Sequence, residues 1–514
     1  MEGLDVDSGL AAQQGWTLNF YDFQRRWASV ESLVSGVDDV LTRARRNGAV
    51  DGTPFFIDPW GRADPLVNAY WRAPRPGAMG LKIDTVRRYA YSLKVWLDFL
   101  HAVGARWDTA ARDELAMFKQ WRLSAEENPD AISPSAFHVD RAAIRRFYEW
   151  AAHHRPVDNP VRVRLIDRGL DGVTAKEVLE GTPSAVRRAD VKWMTPEAFR
   201  LWRNLGLRGF TMDGLPADTW QGRTEDRDTA FAEGLFGTGL RMGEWSSQLT
   251  IEIPASHGAG LFRGQLSAAC AKGAVGRRFW MRRRVAQLVR YYIDDGSRAA
   301  AIARAQVAGR YEHVQGRWLL RQVRRGGVIE VVDDLGRLRD VHLDAMGPRL
   351  RMRLFREGDG GLEPVWLWLN DDGTPRPKKA WYKTFDRANT RVARAMGTVN
   401  GQARLWCRPH MLRHSFALRW YCIATFVAWH RTNVLTTKEQ RDFRNQLGDV
   451  WYLMATLLGH SSAEVTREVY LEPFKALEVE QLIGLMDADD RHALEKLVDV
   501  LALGEPRVLT GATS

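Results

Sequence analysis

Between Arg408 and Tyr470 the chain reads His410-Met411-Leu412-Arg413-His414, then Leu458-Gly459-His460-Ser461-Ser462, and closes on Tyr470-Leu471-Glu472-Pro473. Singly, a histidine beside an arginine is as well read as a surface or packing residue, and a tyrosine on an amphipathic helix as core. Together, in a basic chain, they point to chemistry on a phosphate gripped by cations. Ser461 and Glu464 have the spacing of a capping box ahead of Val465 and Val469, which predicts a short helix carrying Tyr470 about two turns in. His460 then stands just before that helix, where backbone N–H groups favour an anion.

A partner for that segment lies upstream. Gly237-Thr238-Gly239-Leu240-Arg241-Met242-Gly243-Glu244-Trp245 reads as a glycine-rich turn entering a helix with an arginine at its start. No lysine followed by serine or threonine closes it, so it is not a phosphate loop of the Walker type. Further on, Gln265–Ala271 alternates like a strand, Lys272-Gly273-Ala274-Val275-Gly276 makes a turn, and Arg277–Arg282, with Phe279, Trp280 and Met281, reads as a second strand. The expectation is a hairpin with Lys272 at its tip.

Five boxes in this order, Gly239–Glu244, the Lys272 hairpin, His410–His414, Leu458–Ser462 and Tyr470, resemble those of the tyrosine recombinase (phage integrase) family. The resemblance implies a mainly α-helical fold with a small antiparallel β-sheet, a helical core-binding domain preceding an α+β catalytic domain. It implies that Tyr470 attacks a scissile phosphodiester to give a 3′-phosphotyrosine and a free 5′-hydroxyl. Arg241 and Arg413 would clamp the non-bridging oxygens, and Lys272 would protonate the departing 5′-oxygen. His410 would act as acid or base near the tyrosine, His460 would hydrogen-bond the phosphate, and Glu244 and His414 would support them. No cofactor and no metal are expected. The partner implied is double-stranded DNA, bound by a homotetramer with a dimer at each site, other recombinases encoded by the same mobile element being further candidates. Two other readings stay open at this point: a type IB topoisomerase using nearly the same chemistry, and a non-catalytic DNA-binding protein on the same scaffold.

Elementary chemistry fits these assignments. A phosphodiester is an anion whose charge grows towards the transition state, so fixed guanidiniums stabilise the state that limits the rate. A phenol with a pKa of about 10 is a poor nucleophile at neutral pH, and neighbouring cations favour its anion. An alkoxide leaves still less readily, which calls for a general acid opposite it.

Composition sets the outer limits. With 514 residues the chain is long enough for two or three domains, and 74 lysines and arginines against 63 acids leave a formal charge of +11, in keeping with a polyanionic partner. Cys270, Cys407 and Cys422 have no paired or metal-binding spacing, which fits a reducing compartment. Met1–Thr17 has no apolar core of a signal peptide, and the longest apolar run, Trp420–Trp429, is about half a membrane span. The expectation is a cytoplasmic, nucleoid-associated protein with no membrane contact.

The domain expectations follow the chain. Residues 1–80, with helical periodicity over Phe20–Arg45, form an extension that is either an accessory DNA-binding or docking module or a packing brace. Residues 81–160 form the helical core-binding domain, in which Thr85 caps a first helix and Arg87, Arg88, Lys94, Arg141 and Arg145 are candidate DNA contacts. Residues 161–190 are a linker. The catalytic domain spans 191–486, with Thr195-Pro196-Glu197 opening its first helix, an inserted hairpin within 296–361 and a second insertion near 430–446. Arg277, Arg278, Arg282 and Arg283 beside the Lys272 turn are further candidates for phosphate contacts. Residues 487–514 form a C-terminal helix and tail.

Overall fold

The computed structural model describes residues 15–23, 37–74, 77–124, 126, 128–166, 176–179, 192–254, 261–399, 402–432 and 450–458. The chain divides into two compact units, Met1–Ala189 and Asp190–Ser514.

In the first unit, β1 (Thr17–Phe20) pairs antiparallel with β2 (Pro54–Ile57), and the helices are α1 (Val37–Arg46), α2 (Pro65–Tyr70), α3 (Ile83–Ala102), α4 (Arg112–Leu123) and α5 (Pro134–Ala151). Local chemistry starts α2 and α5: Asp64 and Ser133 accept first-turn N–H groups, and a proline follows each at the first helical position. Helix α3 begins two residues before the expected Thr85 cap. Lys82 is its N-cap and offers no side-chain bond; Asp84 in the first turn compensates through the helix dipole.

The core of this unit is aromatic. Trp96 packs against Phe99 and Phe118, and its Nε1 donates to the Tyr148 hydroxyl at 3.3 Å, which in turn donates to the Trp107 carbonyl at 2.6 Å. Trp16, Phe56, Val67, Tyr70 and Trp71 share that core with α3 and α5. Residue 80 is therefore no core boundary: the described part of 1–80 is built into the helical unit, because its large apolar side chains are buried there. Phe20 closes a strand rather than opening a helix, and the next described helix starts at Val37. The expected linker also carries structure, since β3 (Val163–Ile166) and β4 (Lys176–Leu179) pair antiparallel.

The second unit contains α6 (Pro196–Gly206), α7 (Glu225–Thr238), α8 (Met242–Ser246), β5 (Leu261–Leu266), β6 (Arg277–Arg282), α9 (Arg283–Asp294), α10 (Ser297–Val307), β7 (Trp318–Val323), β8 (Val328–Val332), β9 (Leu338–His342), α11 (Pro348–Arg351), β10 (Leu354–Gly358), β11 (Gly361–Pro364), α12 (Lys378–Met396), α13 (Pro409–Thr432) and α14 (Val450–Leu458). Thr195 caps α6 by accepting from Ala198 N at 3.1 Å. Helix α7 is buried along nearly its whole length, with α9 and α13 packed on it. Around it Phe231 stacks on Trp381, and Trp368 Nε1 donates to the Trp245 carbonyl at 2.9 Å.

The stretch expected to hold one inserted hairpin is larger than that. It forms α10 and a five-stranded sheet of order β11-β10-β7-β8-β9. The sheet is mixed, not antiparallel throughout: β10 runs parallel to β7. After β9 the chain crosses through Leu343–Ala345 and α11 before returning, and a crossover of that kind is what a parallel pair requires.

Helix α13 runs to Thr432; most of the second expected insertion lies outside the described residues. So do His460, the Ser461–Glu464 capping box, Tyr470 and all that follows. Among the described residues, no helix is long and apolar enough to cross a membrane, and no group of three or more His, Cys, Asp or Glu side chains is arranged to hold a metal ion.

Candidate active site

The site is built outward from the end of α7. Gly239 terminates that helix with φ +66°, and a Cβ there would stand 2.3 Å from a ring carbon of Phe416. Both the backbone angle and the packing of α13 against the turn demand glycine. The reversal sets Arg241 at the N-cap of α8, with Glu244 three residues on.

Glu244 is the fastening point. Only 2 % of its side chain is exposed, and it accepts from Arg241 N at 2.9 Å, Arg241 Nη1 at 3.1 Å, Lys272 N at 3.2 Å and Arg277 Nη2 at 2.7 Å. Burial alone would raise its pKa; the hydrogen bond and charge of Arg277, followed by those of Arg241, outweigh burial and hold it down at about 2. One carboxylate thus ties the arginine turn to the lysine loop.

That loop departs from the expected hairpin in its first strand. Strand β5 spans Leu261–Leu266 and pairs antiparallel with β6, Leu266 opposite Arg277. Residues expected to continue the strand instead form a short turn over Ala268–Cys270. Lys272 is exposed in the connection, between that turn and β6. Within the hairpin, Phe279 and Met281 face the core, and Gly264 opposite Phe279 leaves space for its ring, since a Cβ would lie 2.3 Å from it.

The third contributor is the start of α13. Arg413 is 1 % exposed and donates through Nη1 to the Gly239 carbonyl at 2.5 Å and through Nη2 to the Leu458 carbonyl at 2.6 Å. Its guanidinium therefore joins the turn before Arg241 to the last residue of α14, two positions ahead of His460. His410 lies one helical turn before His414, their rings 4.5 Å apart and edge to face. His410 keeps solvent-exposed surface, yet its pKa is lowered, first by the protein packed around the ring and then by the charges of Arg413, Arg241 and Lys272. Four of the six residues singled out from the sequence are thus electrostatic neighbours. His460 and Tyr470 lie outside the described residues.

Comparison with known proteins adds a match in the first unit: residues 79–155 fit the family model described as "Phage integrase, N-terminal SAM-like domain". No curated protein matches the sequence. Solved structures similar to the chain include a XerH site-specific recombinase bound to a palindromic difH substrate in a post-cleavage complex, at 13 % identity and TM-score 0.43 over 82 % of this chain and 83 % of that one. They also include the Tn1549 transposon integrase in complex with a circular intermediate DNA, at 12 % identity and TM-score 0.40 over 76 % and 90 %, and XerA recombinase, at 12 % and 0.27 over 83 % and 94 %. Overlaps this loose carry no activity across.

Within the stretch that the family model matches, the candidate DNA contacts fare differently. Arg87 and Arg88 are exposed on α3, Arg87 with its guanidinium 5.5 Å from the Phe20 ring centroid. Lys94 is paired with Asp98 at 2.5 Å and Arg145 with Glu149 at 2.6 Å, exposed enough to exchange partners. Arg141 is a correction: it is buried, with Nη2 3.0 Å from His138 Nδ1, and a guanidinium enclosed in this way presents no surface to a duplex.

In the second unit, Arg278, Arg282 and Arg283 are exposed, but Arg277 is committed to Glu244 and is also withdrawn from the phosphate contacts. A signal for that was available. Arg277 shares the inward face of β6 with Phe279 and Met281, and an arginine on an apolar face needs a buried carboxylate. Arg282 and Arg419 line a separate cleft with Arg200, Arg203 and Glu233; burial, followed by the charge of Arg282, lowers Arg419 to about 10.

Proposed function

We propose that this chain is a site-specific DNA recombinase that cuts and rejoins duplex DNA through a 3′-phosphotyrosine intermediate, with Tyr470 as nucleophile. The Tyr470 oxygen attacks phosphorus, the P–O5′ bond breaks, and the phosphotyrosyl ester preserves the bond energy for rejoining to another 5′-hydroxyl. The phenol proton passes to His410 or to solvent, and Lys272 gives one to the departing O5′. Arg241 and Arg413 stabilise the charge on the non-bridging oxygens, Arg413 once DNA binding opens its enclosed guanidinium to the phosphate, and His460 adds a hydrogen bond there. The observation that supports this reading best is that Glu244 fastens Arg241 and the Lys272 loop together while Arg413 holds the carbonyl of Gly239 in the turn before Arg241, with the charges of all three cations felt at His410. Cations crowded together in this way are what a bound phosphate would neutralise.

The exposed arginines of the integrase SAM-like domain supply backbone contacts that position duplex DNA without reading its sequence. The functional assembly is a homotetramer, a dimer at each site, acting on the DNA of a mobile element in the cytoplasm at the nucleoid.

Tyr470→Phe decides the nucleophile. Incubated with nicked duplex from the DNA flanking its own gene, the native chain forms a covalent adduct resistant to denaturant, whereas the variant binds equally well and forms none. A covalent adduct with the variant refutes the assignment. Relaxation of supercoiled plasmid without site preference would transfer the reading to a topoisomerase.

A further inference from the structure

The sheet inserted between α9 and α12 touches the lysine loop along one short strip, Leu343–Met346. Ser267 Oγ donates to the Leu343 carbonyl at 2.7 Å, Ala268 N donates to Asp344 Oδ1 at 2.9 Å, and the Cys270 thiol reaches the Met346 carbonyl at 3.7 Å. The strip is itself held from behind by Arg351, which is 0 % exposed. Arg351 donates to the carbonyls of Met346 at 2.8 Å, Leu343 at 3.1 Å and Ser247 at 3.2 Å, and grips Glu252 with both terminal nitrogens at 2.6 and 2.9 Å. Gly276 closes the loop where a Cβ would stand 3.0 Å from the Leu266 carbonyl and 3.2 Å from Ala268 N, with Asp344 Oδ1 in ordinary contact at 3.4 Å.

We propose that the inserted sheet is a brace that sets the position of Lys272, with Asp344 as its principal positioning residue. This rests on the reading of Lys272 as the proton donor to O5′. A loop exposed from residue 272 to residue 275 has little packing of its own to fix the lysine backbone. Cys270 and Ala271 are buried in the core beside it, and side-chain hydrogen bonds hold it through Glu244 at Lys272 N and through the strip at residues 267–270. Loss of the second lets the lysine Cα drift, and a displacement of about 1 Å at a catalytic group can cost about a hundredfold in rate.

A positioning role for the acid has a signature that general damage lacks. When the bridging O5′ is replaced by sulfur, the leaving group becomes a thiolate, whose conjugate acid has a pKa of about 8.5 against about 15.7 for water. Such a group departs without a proton donor. The experiment uses the full chain and nicked duplexes with oxygen or sulfur at the mapped cleavage position, comparing the native protein with Asp344→Ala, Ser267→Ala and Lys272→Ala. The expected result is that Asp344→Ala slows adduct formation about ten- to a hundredfold on the oxygen substrate and restores roughly the native rate on the sulfur substrate, as Lys272→Ala does. Ser267→Ala shows the same pattern more weakly. An equal loss on both substrates, or none on the oxygen substrate, overturns the brace.

If Lys272→Ala is not rescued by sulfur, the lysine is not the donor and the brace loses its catalytic meaning, while native adduct formation still upholds strand cleavage. A second readout needs no activity. Amide hydrogen exchange in the 267–276 segment should rise selectively in Asp344→Ala, at least tenfold, with exchange in α7 unchanged. Unchanged exchange in that segment overturns the brace even if the native chain forms no adduct, which would be the separate failure of the recombinase reading.

Discussion

Replacing Glu244 by glutamine keeps the side chain's size and removes the charge that holds Arg241, Lys272 and Arg277 together. The pKa of Glu244 falls from 4.5 to about 2 in the folded protein, and at about 1.36 kcal/mol per unit this corresponds to about 3 kcal/mol of stability. A carboxyl whose folded pKa is depressed contributes fully above its unfolded pKa and loses that contribution as pH falls through the folded value. The charge-dependent part is therefore complete at pH 7 and shrinks to about 1 kcal/mol near pH 3. In Glu244→Gln the amide also turns a donor towards the half-buried guanidiniums of Arg241 and Arg277, which acts in the same direction, so about 3 kcal/mol is a lower bound. Denaturant-dependent hydrogen exchange of α7, buried along nearly its whole length, measures the stability of this unit without interference from the other. The native chain and the Glu244→Gln variant should differ by at least about 3 kcal/mol at pH 7, with the gap closing by about 2 kcal/mol at pH 3. A gap under about 1 kcal/mol at pH 7, the level expected of a solvated surface pair, or one that does not change with pH, refutes the clasp.

Two further expectations concern α13. Arg413→Lys substitutes one compact charge for a fork that spans two carbonyls, leaving Gly239 O or Leu458 O without its donor; adduct yield should fall about a hundredfold or more while DNA affinity, read by fluorescence anisotropy, stays near native. A parallel collapse of affinity would place Arg413 among the binding contacts instead. His410, with its pKa held below 6.5 by its packing and by Arg413, Arg241 and Lys272, is neutral at pH 7. Because the folded pKa is lowered, protonation works against the folded site only as pH drops below that of an unfolded histidine. Adduct formation should hold steady from pH 8 to pH 7, decline on an acidic limb below pH 6.5, and lose that limb in His410→Asn. An acidic limb unchanged by the substitution assigns it elsewhere.

What was legible from residues alone is what neighbours in the chain decide. Ser133-Pro134 and Thr195-Pro196 start helices because a capping oxygen and a proline act within one turn. Gly239 ends one because the left-handed backbone is a property of that residue itself. The order of the boxes could likewise be read directly, as could the presence of a helical domain over residues that match the integrase SAM-like model. Tertiary structure decided the pairings. Glu244 meets Arg277 across 33 residues, and Arg351 reaches Ser247 across 104. The burial of Arg141, the parallel β7–β10 pair and the strip against the lysine loop are of the same long-range kind. A side chain's local pattern states whether it is charged and which face it shares, but not which distant carboxylate or carbonyl will be there to meet it. That depends on how the whole unit packs, and so the partners of these cations became visible only in three dimensions.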